Sequence, residues 1–345
     1  MKLCRLFLAF IPAFLAGCAF GPVFTHGVNT ENKPWSHTKF YNNPENFQFA
    51  IVADRTGGER KGVFPKAAKK LNLLRPEFVL SVGDLVEGYT TDKKVARKQW
   101  AEFNQLVQFF DMPFFYVNGN HDMTNQELSE LWHELYGKSY YYFIYKDVLF
   151  LCLDTQEDLL DNTEKNLSDE QVKWAQNILK KYPNVRWTML FMHKPLWIYE
   201  DDWRDFFGKA HAGKSTGFKD IEKVLQGRNY TVFAGHFHQY TKYVRKKDKK
   251  YIVLATTGGV SGLRGPAFGE FDHAVWVTMT QKGPVIANLM IDGIHDENIT
   301  TEIMMDKIGN NEEFYKTLRF ILNEKTATKE SFHFLYQLKI NLNII

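Results

Sequence analysis

The sequence predicts a single α/β domain, on three observations. From Phe47 onward, apolar runs alternate with amphipathic stretches, beginning with the strand FQFAIVAD, a stretch placing Val63, Ala67, Leu71 and Leu74 at helical spacing, and the strand FVLSVGD. Five apolar runs end in side chains that bind cations or move protons: Asp54, Asp84, Asn120 with His121, His193, and His236 with His238. Buried strands ordinarily run out into turn residues instead. The composition, 44% hydrophobic and 24% charged over 345 residues, is that of a globular chain able to bury one large core or two modest ones. A net charge of +3 is too small to point to nucleic acid or to an anionic membrane surface, and no nucleic-acid partner is expected.

In chain order, residues 1–20, MKLCRLFLAFIPAFLAGCAF, open with positive charge, continue with an apolar stretch containing Pro12, and end in small residues before Cys18. The apolar run is short for a membrane span of about twenty residues, so it predicts an export signal over residues 1–17. Leu15-Ala16-Gly17-Cys18 resembles the lipobox of bacterial lipoproteins, which implies that Cys18 becomes an acylated first residue and the membrane anchor. The chain is then expected to be exported and membrane-tethered, on the periplasmic or cell-surface side. Of three cysteines, Cys4 leaves with the signal and Cys18 is acylated, so Cys152 remains as a small buried hydrophobe and no intrachain disulfide forms. Residues 18–45 carry Gly, Pro, Asn and Thr without periodicity and are expected to be a tether.

The catalytic domain is expected over residues 46–295. Its first strand, helix and second strand form a βαβ unit with the ligand-bearing ends at one edge. A long amphipathic helix follows around 92–110, with Val95, Trp100, Phe103, Leu106, Val107 and Phe110 on its apolar side. Thr124 to Glu127 and Ser168 to Gln171 have capping-box form and predict helix starts. Between them SYYYFIYKDVLFLCLD predicts a hairpin turning at Lys146-Asp147. Residues 195–217 are too irregular for one element and are expected to form a substrate wall. YTKYVRKKDKKYIVLATT predicts a hairpin whose basic turn is solvated, GGVSGLRG a glycine-rich loop with Arg264 as anion clamp, and His273 a hydrogen-bonded structural histidine. Arg55, Arg264, Trp197 and Tyr199 are the candidates for substrate contact. Residues 296–345 hold one amphipathic helix, NEEFYKTLRFILNEK, and are expected to pack on the domain or to remain partly disordered.

The chemistry resides in the strand ends. Asp54, Asp84, Asn120, His193, His236 and His238 supply two carboxylates, one amide oxygen and three imidazoles, a mixture suited to divalent Mn, Fe, Zn or Co. The set is too large for one tetrahedral ion and fits two ions sharing a carboxylate, which can clamp both oxygens of a phosphoryl displacement.

The order Asp54, GDLVEG, GNHD, His193, GHFH resembles the calcineurin-like metallophosphoesterases, over roughly residues 47–291. The resemblance implies a two-sheet α/β/β/α sandwich and hydrolysis of a phosphomonoester or diester by metal-activated water. It implies that Asp84 bridges both ions, that Asp54 and His238 complete one site, and that Asn120, His193 and His236 complete the other. It leaves His121 to act on the substrate as general acid, with Asp122 expected beside it to hold its ring. The family's first motif is Asp-x-His, whereas this chain reads Asp54-Arg55-Thr56. One site is therefore short of a nitrogen donor, and Glu59 is a candidate oxygen substitute. Two other functions stay open: a pyrophosphatase acting on a nucleotide-sugar or lipid diphosphate, and a non-catalytic binding lipoprotein on a decayed phosphoesterase scaffold.

Overall fold

Strand β2 (Phe47–Val52) divides the fold into two packed layers: Phe47, Phe49 and Ile51 enter one hydrophobic cluster, Ala50 and Val52 another. That is the period of two imposed by a pleated strand. The computed structural model describes residues 24–40, 46–157, 166–204, 210–246, 248–291, 293–298 and 300–301. In it β2 is central to a six-stranded sheet with the order β15 (Gly293–Asp296), β14 (Gly283–Met290), β13 (His273–Thr280), β2, β3 (Val79–Ser81), β4 (Phe114–Phe115). A seven-stranded sheet faces it, in the order β1 (Phe24–His26), β5 (Tyr141–Tyr145), β6 (Val148–Cys152), β7 (Trp187–Phe191), β10 (Tyr230–Ala234), β12 (Lys249–Val253), β11 (Thr241–Arg245). Two short strands, β8 (Trp203–Arg204) and β9 (Ala210–His211), pair separately.

The cluster between the sheets is largely aromatic. Phe49 and Phe78 meet Phe143, Phe150 and Phe191, which with Phe233 stack in a row across the second sheet. Helices α1 (Val63–Leu74), α2 (Lys93–Val107) and α3 (Gln126–Tyr136) share a second cluster with the outer face of the six-stranded sheet. Helices α4 (Asp169–Lys181), α5 (Leu196–Tyr199) and α6 (Phe218–Leu225) share a third with the outer face of the seven-stranded sheet. The architecture is the α/β/β/α sandwich.

Local chemistry sets the element limits. Asp92 caps α2 by accepting from the Lys94 N–H at 2.8 Å, and Ser168 caps α4 by accepting from the Gln171 N–H at 3.0 Å. Asp169 and Glu170 then occupy the first turn of α4 and Lys180 and Lys181 its last, matching the helix dipole. Lys146 and Asp147 both take positive φ, 50° and 59°, as a two-residue hairpin turn between β5 and β6 requires. Cys152 is free and buried in β6.

Four expectations change. Helix α3 starts one residue late: Asn125 accepts from the Leu128 N–H, while Thr124 spends its hydroxyl on the Asn120 carbonyl. Val95 is 43% exposed, because α2 turns Ala96, Trp100, Phe103 and Val107 to the sheet instead. Residues 24–40 are not a free tether: β1 pairs with β5 along one edge, and Val28 and Trp35 are buried in the inter-sheet core. At the other end Lys242 N–H donates to the Thr300 carbonyl, so the domain continues past residue 295. The expected signal 1–17 with Cys18, and residues 302–345 with the expected amphipathic helix, lie outside the described residues. Among those described, no helix is long and apolar enough to cross a membrane.

Candidate metal centre

Strands β2, β3 and β4 run parallel in adjacent positions, so their C-terminal ends carry Asp54, Asp84 and Asn120 to neighbouring points. In the facing sheet β7 and β10 are parallel neighbours and carry His193, His236 and His238 in the same way. The donors therefore gather at the seam of two sheets, three from each, and not along one sheet edge. Four of them, Asp54, Asp84, His236 and His238, have φ of 43°, 55°, 76° and 54°. Each left-handed residue folds the chain back sharply where the strand stops, at a cost of roughly 1–3 kcal/mol.

The six side chains meet closely. One donor atom each of Asp84, His193 and His236 lies within 4.8 Å of the others, and the same holds for Asp54, Asp84 and His238, so Asp84 belongs to both groups. His193 Nδ1 lies 2.9 Å from the Val82 carbonyl and donates to it. Its Nε2 then faces Asn120 Oδ1 at 2.9 Å, Asp84 Oδ2 at 3.2 Å and His236 Nδ1 at 3.2 Å. A single proton on Nε2 can bridge to only one of these three acceptor atoms at a time, whereas a cation in its place can take a lone pair from each of them. On the other side His238 donates Nδ1 to the Val260 carbonyl and turns Nε2 toward Asp54 Oδ1 at 3.4 Å. Asp54 Oδ2 is buried without a hydrogen-bond partner. These donors fit two divalent ions sharing Asp84.

The electrostatics agree. Burial raises the Asp84 carboxyl, yet the imidazoles of His193 and His121 outweigh it and hold the group well below the usual carboxylate range. Burial lowers His193, but Asp84 and Asp54 prevail and raise it. His238 is likewise lowered by burial and then lifted to about 9, first by Asp54. Burial, and then the charge on His193, push His236 well down. Protons on His193 and His238 thus stand in for positive charge that bound ions would supply in displacing them.

His121 takes no part in either ligand group. Its backbone N–H donates to Asp84 Oδ1 at 2.9 Å and its Nδ1 lies 2.7 Å from the Glu87 carbonyl, which fixes that nitrogen as the donor. Its Nε2 lies beside His238, and both rings are partly exposed: a Cβ added at Gly57 would lie 3.3 Å from His121 Nε2 and 3.0 Å from His238 Cε1. Asp122 does not hold this ring. Its carboxylate is fully buried and accepts from the N–H groups of Leu85, Val86 and Gly119 at 2.8, 3.0 and 2.8 Å, tying the loop after β3 to the loop after β4. Burial, and then the Asp84 charge, push its carboxyl up to about 7 against the pull of those donors.

Other candidates point elsewhere. Thr56 is buried, with its hydroxyl 3.0 Å from the Asp84 carbonyl and 2.8 Å from that of Val86, bracing the loop. Glu59 joins neither ligand group, because Arg55 Nη2 holds its carboxylate at 2.7 Å. Arg55 turns inward, donating to the Leu85 carbonyl and lying over the Phe103 ring. Arg264 is not an open anion clamp: its guanidinium pairs with Glu270 and covers Phe268. Trp197 is core, edge-on to Tyr251. Tyr199 packs beside the centre, its ring 6.4 Å from that of His236. Sequence reasoning missed Tyr89, whose hydroxyl is 2.9 Å from Asn120 Nδ2 and whose ring meets that of His121. It follows Gly88 in a loop without periodicity, so the sequence carried no signal for it.

Comparison with known proteins supports the same family. The model for calcineurin-like phosphoesterases matches residues 36–240. The serine/threonine-protein phosphatase CPPED1 of Mus musculus is 28% identical over 184 residues, 50% of this chain and 57% of its own. A probable glycerophosphodiester phosphodiesterase, GpdQ, of Arcobacter nitrofigilis is 24% identical over 125 residues, 35% of this chain and 42% of its own. The match thus spans about half the length of these curated relatives. Among solved structures, a dimetal phosphatase from Danio rerio superposes with a TM-score of 0.52 at 13% identity, covering 72% of this chain and 97% of that one. PhoD superposes with a TM-score of 0.53 at 14% identity, over 75% and 72%. With the family model spanning more than half of the chain and the donors assembled at the sheet seam, the chain belongs to the calcineurin-like phosphoesterase family.

Proposed function

We propose that the protein hydrolyses a phosphomonoester or phosphodiester, using two divalent ions of the Mn, Fe, Zn or Co type. Asp54, Asp84 and His238 would hold one ion, and Asp84, Asn120, His193 and His236 the other. The observation behind this is the convergence of Asn120 Oδ1, Asp84 Oδ2 and His236 Nδ1 on His193 Nε2, beside the orphaned Asp54 Oδ2. When bound, such ions supply the charge that makes water a nucleophile near neutral pH and neutralises phosphoryl oxygens. The chain's own part is proton transfer and orientation. His121, held through Nδ1 by the Glu87 carbonyl, presents Nε2 beside His238; as the P–O bond breaks, Nε2–H passes its proton to the leaving oxygen and the ring is left neutral.

Protein reconstituted with each metal and assayed on phosphomonoesters, diesters and diphosphates tests the substrate class. Preference for diphosphates would replace it with a pyrophosphatase. His121→Ala should keep its metal content and lose turnover by about 10²- to 10⁴-fold, least for nitrophenolate leaving groups that need little protonation. An equal loss on alkyl and nitrophenyl esters would show that His121 only binds.

The same reading places the domain outside the cytoplasm, anchored through acylated Cys18, supported by the Leu15-Ala16-Gly17-Cys18 sequence. Cys18→Ser should be exported yet recovered in the soluble fraction. A mature N-terminus without acyl mass in the wild type would refute the anchor.

A further inference from the structure

Tyr89 is a large side chain at the centre that neither the ligand set nor the core explains. The residue is 60% exposed, and its backbone takes φ of 47°, a left-handed conformation unfavourable for any residue with a Cβ. Neither burial nor backbone preference selects a tyrosine there. Its contacts do: the hydroxyl accepts from Asn120 Nδ2 at 2.9 Å, and its ring stands edge-on to the His121 imidazole, centroids 4.6 Å apart at 83°. Gly88 allows this approach, since a Cβ there would lie 1.6 Å from the His121 carbonyl oxygen.

An asparagine amide has two ends of nearly the same shape, of which only the oxygen ligates a cation. With Nδ2 engaged on the outside by Tyr89, Oδ1 is left facing His193 Nε2 on the inside. We propose that Tyr89 is a positioning residue for both functions of the GNHD loop: its hydroxyl anchors the outer end of the Asn120 amide by accepting from Nδ2 while Oδ1 faces His193 Nε2, and its ring, perpendicular to the His121 imidazole, holds that imidazole in place. This rests on the dinuclear reading given above.

The two roles separate by substitution, since Tyr89→Phe removes only the hydroxyl and Tyr89→Leu removes hydroxyl and ring. Metal-free protein would be titrated calorimetrically with Mn and Co, with the visible spectrum of bound Co recorded in parallel. Tyr89→Phe should weaken one equivalent by about 10-fold, the usual loss for an outer partner of a ligand, and leave the other unchanged. In an Asn120→Asp background, where neither end of the side chain is wrong, the effect should fall to about 2-fold or less. Tyr89→Leu should also lower turnover on alkyl esters by about 10-fold more than on nitrophenyl esters, while Tyr89→Phe leaves that ratio alone. Wild-type affinities and spectrum in Tyr89→Phe, or an undiminished loss in the Asn120→Asp background, would overturn the role of the hydroxyl. An unchanged ester ratio in Tyr89→Leu would overturn the role of the ring. A wild type that binds no divalent ion would overturn the dinuclear reading and this inference together.

Discussion

Thr56 shows how a residue that departs from a family motif acquires a different task. Its hydroxyl braces the Asp84 and Val86 carbonyls, and Glu59 is held by Arg55, so under the proposed assignment one ion would have three protein ligands, Asp54, Asp84 and His238, and the other four once Asn120 joins Asp84, His193 and His236. Metal titration should therefore give one tight and one weak equivalent, and Glu59→Ala should leave the weak one unchanged; a loosened weak equivalent would make Glu59 a ligand after all. His273 is a second residue with a measurable signature. It is buried, its Nδ1 2.8 Å from Asn288 Oδ1 and its Nε2 without a partner, and burial pushes the ring down to about 4. The unfolded chain, titrating near 6.5, takes up the proton first. Stability is thus full above pH 6.5 and falls as pH drops toward 4, by up to about 3 kcal/mol. Urea midpoints of metal-free His273→Gln should be flatter over that window than those of the wild type; parallel profiles would refute the assignment. At this scale the donors were legible, because Asp, Asn and His seldom end buried strands. The orientations of Arg55, Arg264 and Asp122 were not. Arg55 and Arg264 are fixed by acidic partners four and six positions onward, and Asp122 by three backbone N–H groups that no residue pattern reveals.

Between elements, the loops after β3 and β4 are joined through Asp122. In Asp122→Asn one end of the side chain becomes a donor facing another donor, leaving a buried N–H orphaned at a cost of about 1–3 kcal/mol. Metal-free Asp122→Asn should unfold at lower urea by that amount and bind metal more weakly, since Asp84 and Asn120 ride on the joined loops. Unchanged stability would show that the N–H groups find other partners. Element types were readable where period and capping agreed, as in α2, α4 and the β5–β6 hairpin. Strand β1 was not: three residues pairing along a sheet edge, with Trp35 buried nearby, leave no period to detect. The helix start at Asn125 was misjudged by one residue because Thr124 and Asn125 can both cap, and the Asn120 carbonyl claims the threonine.

For the whole molecule, the centre is a clasp between two sheets whose shared core is otherwise apolar and aromatic. Ions bound only by the folded chain stabilise it by mass action, about 2.7 kcal/mol for each ion at a hundred times its Kd. Removing them with a chelator should lower Tm, and re-addition should restore it in proportion to the logarithm of free metal. A Tm indifferent to chelator would mean that the seam closes without them. The sandwich itself was foreshadowed by the motif order, whereas the division of donors between sheets required the strand order.

That division has a consequence in time. Every oxygen donor, Asp54, Asp84 and Asn120, precedes every imidazole donor, His193, His236 and His238, along the chain, and β13, which flanks β2, follows them all. A growing or translocating chain first presents only carboxylate and amide oxygens, which favour hard ions and hold them weakly; the nitrogens that retain borderline ions arrive last. Under the proposed ligand set, the choice of ion would therefore be made where folding finishes, and not where synthesis begins.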